Sequence, residues 1–427
     1  MDIKQLALPQ SVLDTDLYKL TMLQFIWEHH IYNAETEFRF IERNRDEKPE
    51  HERISKQTYR TAYEILTEWA KDFSFTQDDT YYLSTITDED GIPVFKKEFL
   101  YYLRKIFIMS ELKWTDEAPF IYTEGSWIST TLWEIYVLST VNTLHNYNRS
   151  PELFKRRLID CVDPIFSKML NVMNLKTEPI ISDFGTRRRY SYDVHQFVLG
   201  RGVEHKIIKS TSNLHLAREL NIKPVGTFAH EIPMGMVAMK ADELDVRNVA
   251  KNYKHIYKPV FDKWKESFGM GFNIALTDTY GSKAVFDNDL IDLSWDGVRH
   301  DSGCPFEFTE LVLDWLKRKQ AEGHKLTNPF RIVYSDGLTF DLIIRLEREF
   351  SHQKDIKLMY GIGTNLTNDV NQKPTSIVMK LTKINGNDTV KISDNLAKSV
   401  SYGDSQMLNI YKSAFGHTHN FSEQLNV

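Results

Sequence analysis

His230 stands in Pro224-Val225-Gly226-Thr227-Phe228-Ala229-His230-Glu231, after a glycine–threonine turn and before a carboxylate. A neutral imidazole is nucleophilic without a separate base, and Glu231 or another nearby carboxylate can orient its ring. A purely structural histidine is the plain alternative. The run Asp183-Phe184-Gly185-Thr186-Arg187-Arg188-Arg189 sets three arginines ahead of an amphipathic segment, Tyr190 to Leu199. Cations there oppose a helix dipole unless an anion binds among them. Solvated arginines paired with acidic residues explain the run equally well. Gly361-Ile362-Gly363-Thr364 and Ser335-Asp336-Gly337 each follow a short apolar run. Glycine lets backbone N–H groups converge on a phosphate, although either segment alone also reads as an ordinary turn. Asp278 and Asp301 follow apolar runs too, where they suit ribose hydroxyls, the waters of Mg2+, or helix N-caps. His417-Thr418-His419 reads as an exposed tail feature. No His, Cys, Asp or Glu spacing makes a protein-only metal cage, so metal ligands stay unassigned.

These residues need a scaffold that brings them together. From about residue 178, short apolar runs recur, each leading into polar or glycine residues and then an amphipathic stretch. The runs are 179–181, 206–209, 273–276, 295–298, 331–334 and 357–360. Strand, polar loop, helix, repeated, predicts parallel β/α architecture with its chemistry at the strand C-terminal ends. Six units suit an irregular α/β barrel better than a full eight; an open doubly wound sheet gives the same local pattern. The first 140 residues are mixed. A helix is expected near Tyr59 to Phe73, a strand at Glu37 to Ile41, and a buried helix within Ser126 to Leu144. Exposed loops are expected at Arg43 to Glu52 and Thr76 to Thr80. The organisation expected is an α/β domain from residues 1–140, completed by 381–427, and a barrel from 141–380.

The bulk composition narrows the function. A chain of 427 residues is too long for one ordinary core. Its net charge of −6 argues against general nucleic-acid binding, though a local basic pocket remains possible. Two cysteines make no disulfide framework, and no apolar run is long enough to span a bilayer. A cytoplasmic protein without membrane partners is the expectation.

Taken in order, these motifs resemble the bacterial and fungal nicotinate phosphoribosyltransferases over nearly the whole chain. The resemblance rests on Leu13 to Leu20, Glu37-Phe38-Arg39, Asp183 to Arg189, Thr211-Ser212-Asn213, Gly226 to Glu231, Ala275 to Asp278, Gly297 to Gly303, Ser335-Asp336 and Gly361 to Thr364. It implies an irregular barrel of the type II phosphoribosyltransferase kind plus a second α/β domain. It implies synthesis of nicotinate mononucleotide from nicotinate and phosphoribosyl pyrophosphate, with ATP as co-substrate and Mg2+ carried mainly by substrate phosphates. His230 would be the phosphorylated histidine, with Asp278 and Asp301 beside it. Tyr18, Thr227, Arg299 and Phe184 would hold nicotinate. Asp16, Arg187, Ser335, Asp336, Gly337, Gly361, Gly363 and Thr364 would hold the phosphoribosyl group. A homodimer is implied, with Tyr18 reaching the site across the interface. Ser210 and Cys304 depart from the family pattern, where Gly and Asp respectively are common. A nicotinamide or quinolinate enzyme, or a catalytically dead phosphate-ligand sensor, is the rival.

Overall fold

The computed structural model describes residues 3–118, 120–155, 158–370 and 372–417. Within these residues two main sheets form. The first has five strands in the order β12-β11-β1-β3-β2, with β1 Glu35–Glu42, β2 Leu112–Trp114, β3 Ile121–Ser126, β11 Ile377–Ile384 and β12 Asn387–Asp388. All its pairings are antiparallel, and β1 lies between β3 and a strand from the far end of the chain. Alternation explains β1: Thr36, Phe38 and Phe40 face the core while their neighbours are half-exposed.

The second sheet has seven strands in the order β6-β5-β4-β10-β9-β8-β7. They are β4 Ile180–Asp183, β5 Ile208–Thr211, β6 Lys223–Pro224, β7 Ile274–Leu276, β8 Gly297–His300, β9 Phe330–Tyr334 and β10 Ile356–Ile362. Every neighbouring pair is parallel. The sheet curls into part of a barrel, so the expected irregular α/β barrel with a second α/β domain is the fold found. The six anticipated strands are present, and the two-residue β6 is an addition too short to carry a sequence pattern.

Side-chain caps start several helices. Ser191 accepts from the Val194 amide ahead of helix Tyr192–Glu204, and Thr339 accepts from Leu342 ahead of Phe340–Phe350. Thr76 and Asp79 form a reciprocal capping box, so Thr76 to Thr80, read as a loop, begins helix Gln77–Thr85 instead. Tyr59 to Phe73 corresponds to helix Lys56–Ala70. Ser126 to Leu144 contains Trp127–Thr130 and Trp133–Arg149, the latter buried from Trp133 to Asn146. This second helix runs through residue 140, and β11 runs through residue 380, so both expected domain limits fall inside elements. His417, expected in an exposed tail, is half-buried and bonded to the Tyr280 carbonyl at 2.9 Å; His419 lies outside the described residues.

Candidate active site

The C-terminal ends of β7, β8 and β9 converge on His230. The residue caps helix Glu231–Ala238 and its ring is buried. Nδ1 lies 2.9 Å from Thr279 Oγ1; Nε2 lies 2.9 Å from Asp301 Oδ2 and 2.8 Å from Lys391 Nζ. Asp278 Oδ1 is 3.6 Å from the same nitrogen. A neutral ring nitrogen cannot both donate to Asp301 and accept from Lys391, so the two partners select opposite tautomers. Burial, then Lys391, push the imidazole below its usual range, while Asp278 and Asp301 oppose them. Glu231 does not orient this ring, contrary to one sequence expectation. It turns away to Lys19, Trp127 and Thr131, and Asp301 takes the place beside the imidazole.

Neither Asp278 nor Asp301 is a helix cap: the following helices begin at Ser282 and Pro305, capped by Gly281 and Cys304. Asp278 accepts from Ser302 Oγ at 2.6 Å and pairs with Lys391 at 3.3 Å. Asp301 accepts from Ser335 Oγ at 2.7 Å and lies 3.5 Å from Arg299. Burial opposes its charge, but Arg299, His230 and Lys391 outweigh burial and hold the carboxyl well below its ordinary range. Arg299 donates to the Phe228 carbonyl at 3.1 Å, while its Nε is buried without a partner. An unsatisfied buried guanidinium N–H is costly and invites an anionic ligand.

Arg187 carries the site toward the N-terminal domain. It lies 3.5 Å from Glu134, and the charges of Asp16, Asp301 and Glu134 all favour its cationic form. Asp16 accepts from Ser212 Oγ at 2.7 Å. Tyr18 is buried, with its hydroxyl unpartnered. Burial, then Glu134, push its phenol well above the usual range, against Arg187. The Tyr18 backbone lies beside Gly226 of the same chain: a Cβ there would come within 3.1 Å of the Tyr18 amide nitrogen. Thr227 is buried, and its carbonyl accepts from Thr21 at 2.7 Å. The three arginines do not head a helix as a group. Thr186–Arg188 is a single 3-10 turn, and Arg189 is committed to Asp14 through two 2.7 Å bonds.

The two glycine loops lie side by side because β9 and β10 pair. Asn365 Nδ2 ties them together by donating to the Leu338 carbonyl at 2.7 Å. Phe184 lies over Gly361, where a Cβ would come within 2.2 Å of the ring. Gly337 adopts φ +60° on the open side; Gly363 and Thr364 are half-buried. Asp336 pairs with Lys398 at 2.7 Å. Lys391 and Lys398, both from the segment after β12, are site residues that sequence reasoning missed. Nothing in their local spacing separates them from the chain's other lysines. The Ser210 departure is absorbed by a 2.7 Å bond to Ser182 across the β4–β5 pair; Cys304 is exposed.

Comparison with known proteins gives the family of the chain. Residues 180–419 match the model of the nicotinate phosphoribosyltransferase (NAPRTase) family, and residues 13–142 match that of its N-terminal domain. The nicotinate phosphoribosyltransferase of Methanococcoides burtonii is 31% identical over 426 residues, covering 95% of this chain and 98% of that protein. That of Acinetobacter baylyi is 32% identical over 424 residues, covering 92% and 93%. The crystal structure of the Vibrio cholerae nicotinate phosphoribosyltransferase superposes with a TM-score of 0.78 at 28% identity, covering 96% of this chain and 94% of that one. The Porphyromonas gingivalis structure gives 0.77 at 25% identity, covering 95% and 99%. With two family models matching most of its residues and relatives about 30% identical over more than nine-tenths of it, the chain belongs to the nicotinate phosphoribosyltransferase family.

Proposed function

We propose that the chain joins nicotinate to 5-phosphoribosyl 1-pyrophosphate, giving nicotinate mononucleotide and pyrophosphate, with ATP hydrolysed through a transient phosphohistidine on His230. The observation that carries this reading is His230 itself. Burial and Lys391 favour its neutral, nucleophilic form, and Lys391 stands where the charge of a new phosphoryl group would need a cation. A ring nitrogen takes the γ-phosphoryl group as the bond to ADP breaks, and water later releases it as phosphate.

Glycosyl transfer asks for different help. The pyridine nitrogen bonds to ribose C1 as the C1–O bond to pyrophosphate breaks, and positive charge develops on the sugar. Asp16, Asp278 and Asp301 suit that charge and the ribose hydroxyls. Arg187, with the loops Ser335-Asp336-Gly337 and Gly361 to Thr364, suits the phosphates. Arg299, through its unpaired Nε, suits the nicotinate carboxylate, with Tyr18, Phe184 and Thr227 around the ring. Among the described residues no group of three or more His, Cys, Asp or Glu is arranged to hold a metal. Mg2+ would accompany the substrate phosphates and neutralise pyrophosphate charge, with the Asp278 and Asp301 carboxylates available to the waters it carries.

A homodimer in the cytoplasm is part of the same reading. Among the described residues no helix is long and apolar enough to cross a membrane. The test is to incubate the purified protein with nicotinate, phosphoribosyl pyrophosphate, Mg2+ and ATP, with nicotinamide in parallel. Nicotinate mononucleotide should form together with ADP and phosphate. His230→Ala should lose ATP hydrolysis and retain slow ATP-independent synthesis. Product formation without any nicotinate-linked ATP hydrolysis in the wild type would overturn the phosphohistidine half of the proposal.

A further inference from the structure

Two residues with no part in the chemistry above link its two halves. Lys19 follows Tyr18 in helix Leu17–Glu28, and Glu231 follows His230 at the start of its own helix. Lys19 Nζ lies 2.6 Å from Glu231 Oε2, with side-chain exposures of 0% and 5%. The other Glu231 oxygen accepts from Trp127 Nε1 at 2.8 Å and Thr131 Oγ1 at 2.6 Å. Lys19 is also 2.7 Å from Glu134, whose remaining oxygen faces Lys380 at 3.2 Å and Arg187 at 3.5 Å. Burial opposes the Lys19 charge, but Glu134 and Glu231 outweigh it and raise its pKa. Further contacts remove slack between the same two segments: the Thr21 hydroxyl on the Thr227 carbonyl, and the bare Gly226 against the Tyr18 backbone.

A buried pair with every oxygen occupied has one low-energy arrangement. A change of position at His230 would have a direct route through this network: one residue along to Glu231, across to Lys19, and one residue back to Tyr18. We propose that the Lys19–Glu231 pair couples the phosphorylation state of His230 to the affinity of the base site at Tyr18. Both are positioning residues, acting through their neighbours. The inference rests on the phosphohistidine reading.

The test compares nicotinate KM with and without ATP in the wild type, Glu231→Gln and Lys19→Met, with ATP hydrolysis measured in each. In the wild type, ATP should shift nicotinate KM by about 5- to 150-fold, the ordinary range for coupled sites. In Glu231→Gln the shift should shrink to about twofold or less while ATP is still hydrolysed. Glu231→Gln keeps the shape of the side chain and leaves Lys19 paired with Glu134, so it carries the test if Lys19→Met does not fold. A merely structural pair would lower the melting temperature and leave the ATP-dependent KM shift intact; that result overturns the coupling alone. A wild type that hydrolyses no ATP overturns the phosphohistidine reading and the coupling with it.

Discussion

Lys391→Met should move the acid limb of His230 phosphorylation to higher pH. In the wild type, burial and the ammonium 2.8 Å away both disfavour imidazolium. The neutral ring is the nucleophile, so the rate rises as pH climbs through the His230 pKa. Removing Lys391 leaves the ring beside Asp301 and Asp278, both of which stabilise its charged form. A unit charge at that separation contributes roughly 1.5–6 kcal/mol for an effective dielectric between about 80 and 20. The Lys391 side chain is 15% exposed, so solvent screening puts the effect toward the lower end, and the limb moves to higher pH. The assay is single-turnover formation of acid-labile phosphohistidine at saturating ATP across the pH range. Saturation matters because losing Lys391 also weakens phosphate binding; the position of the limb does not depend on that loss. Asp301→Asn, which removes a partner of the charged ring, should move the limb the other way. A Lys391→Met limb that stays in place or moves to lower pH would refute the reasoning.

Arg299→Ala should raise nicotinate KM by roughly 30- to 1,000-fold, the effect of losing a charge-assisted bond of about 2–4 kcal/mol, with the phosphoribosyl pyrophosphate KM far less affected. Equal KM values for both substrates in mutant and wild type would remove Arg299 from the nicotinate site. Gly361→Ala forces a methyl group into the Phe184 ring, so it should cost about 1–3 kcal/mol of stability, read as a lower melting temperature, and raise the phosphoribosyl pyrophosphate KM. Subunit mixing tests where Tyr18 acts: if it serves its own chain's site, hybrids of Tyr18→Ala and His230→Ala regain no ATP-coupled synthesis beyond the slow rate of His230→Ala. Recovered activity in exchanged dimers would show the site to be shared across an interface.

Much of the scaffold was legible because parallel strands buried on both faces leave continuous apolar runs, and polar loops mark their ends. The runs before Asp183 and Asp278 are of this kind, whereas those before Asp301, Ser335 and Gly361 carry Asp296, Arg331 and Lys357 among their apolar residues. What the sequence hid was pairing over distance. Arg187, Arg188 and Arg189 look alike in a row, yet one folds toward the site and another is locked on Asp14, a choice made 175 residues away. Lys391 meets His230 across 161 residues, and no local pattern marks it. Glu231 sits next to His230 in sequence, which suggested contact; the helix start between them sends the two side chains in different directions. Thr76 reads as a loop residue because polar residues serve both loops and caps, and only the Asp79 partner three residues on separates the two.

The pairing of β1 with β11 has a consequence for synthesis. Thr36 stands opposite Ile384, so the central strand of the first sheet must wait until synthesis has passed residues 377–384 before its second neighbour exists. At about 5–20 residues per second on the ribosome, that is a delay of roughly 20–70 s. Once β3 has been made it covers one edge of β1, and the other still presents unpaired backbone beside Phe38 and Phe40. Lys391 and Lys398 emerge only after β11, so the nascent chain lacks those site cations until the segment beyond β11 has left the ribosome. A premature stop before residue 377 would leave an unfinished active centre and an open strand edge, which invites association with other chains during translation.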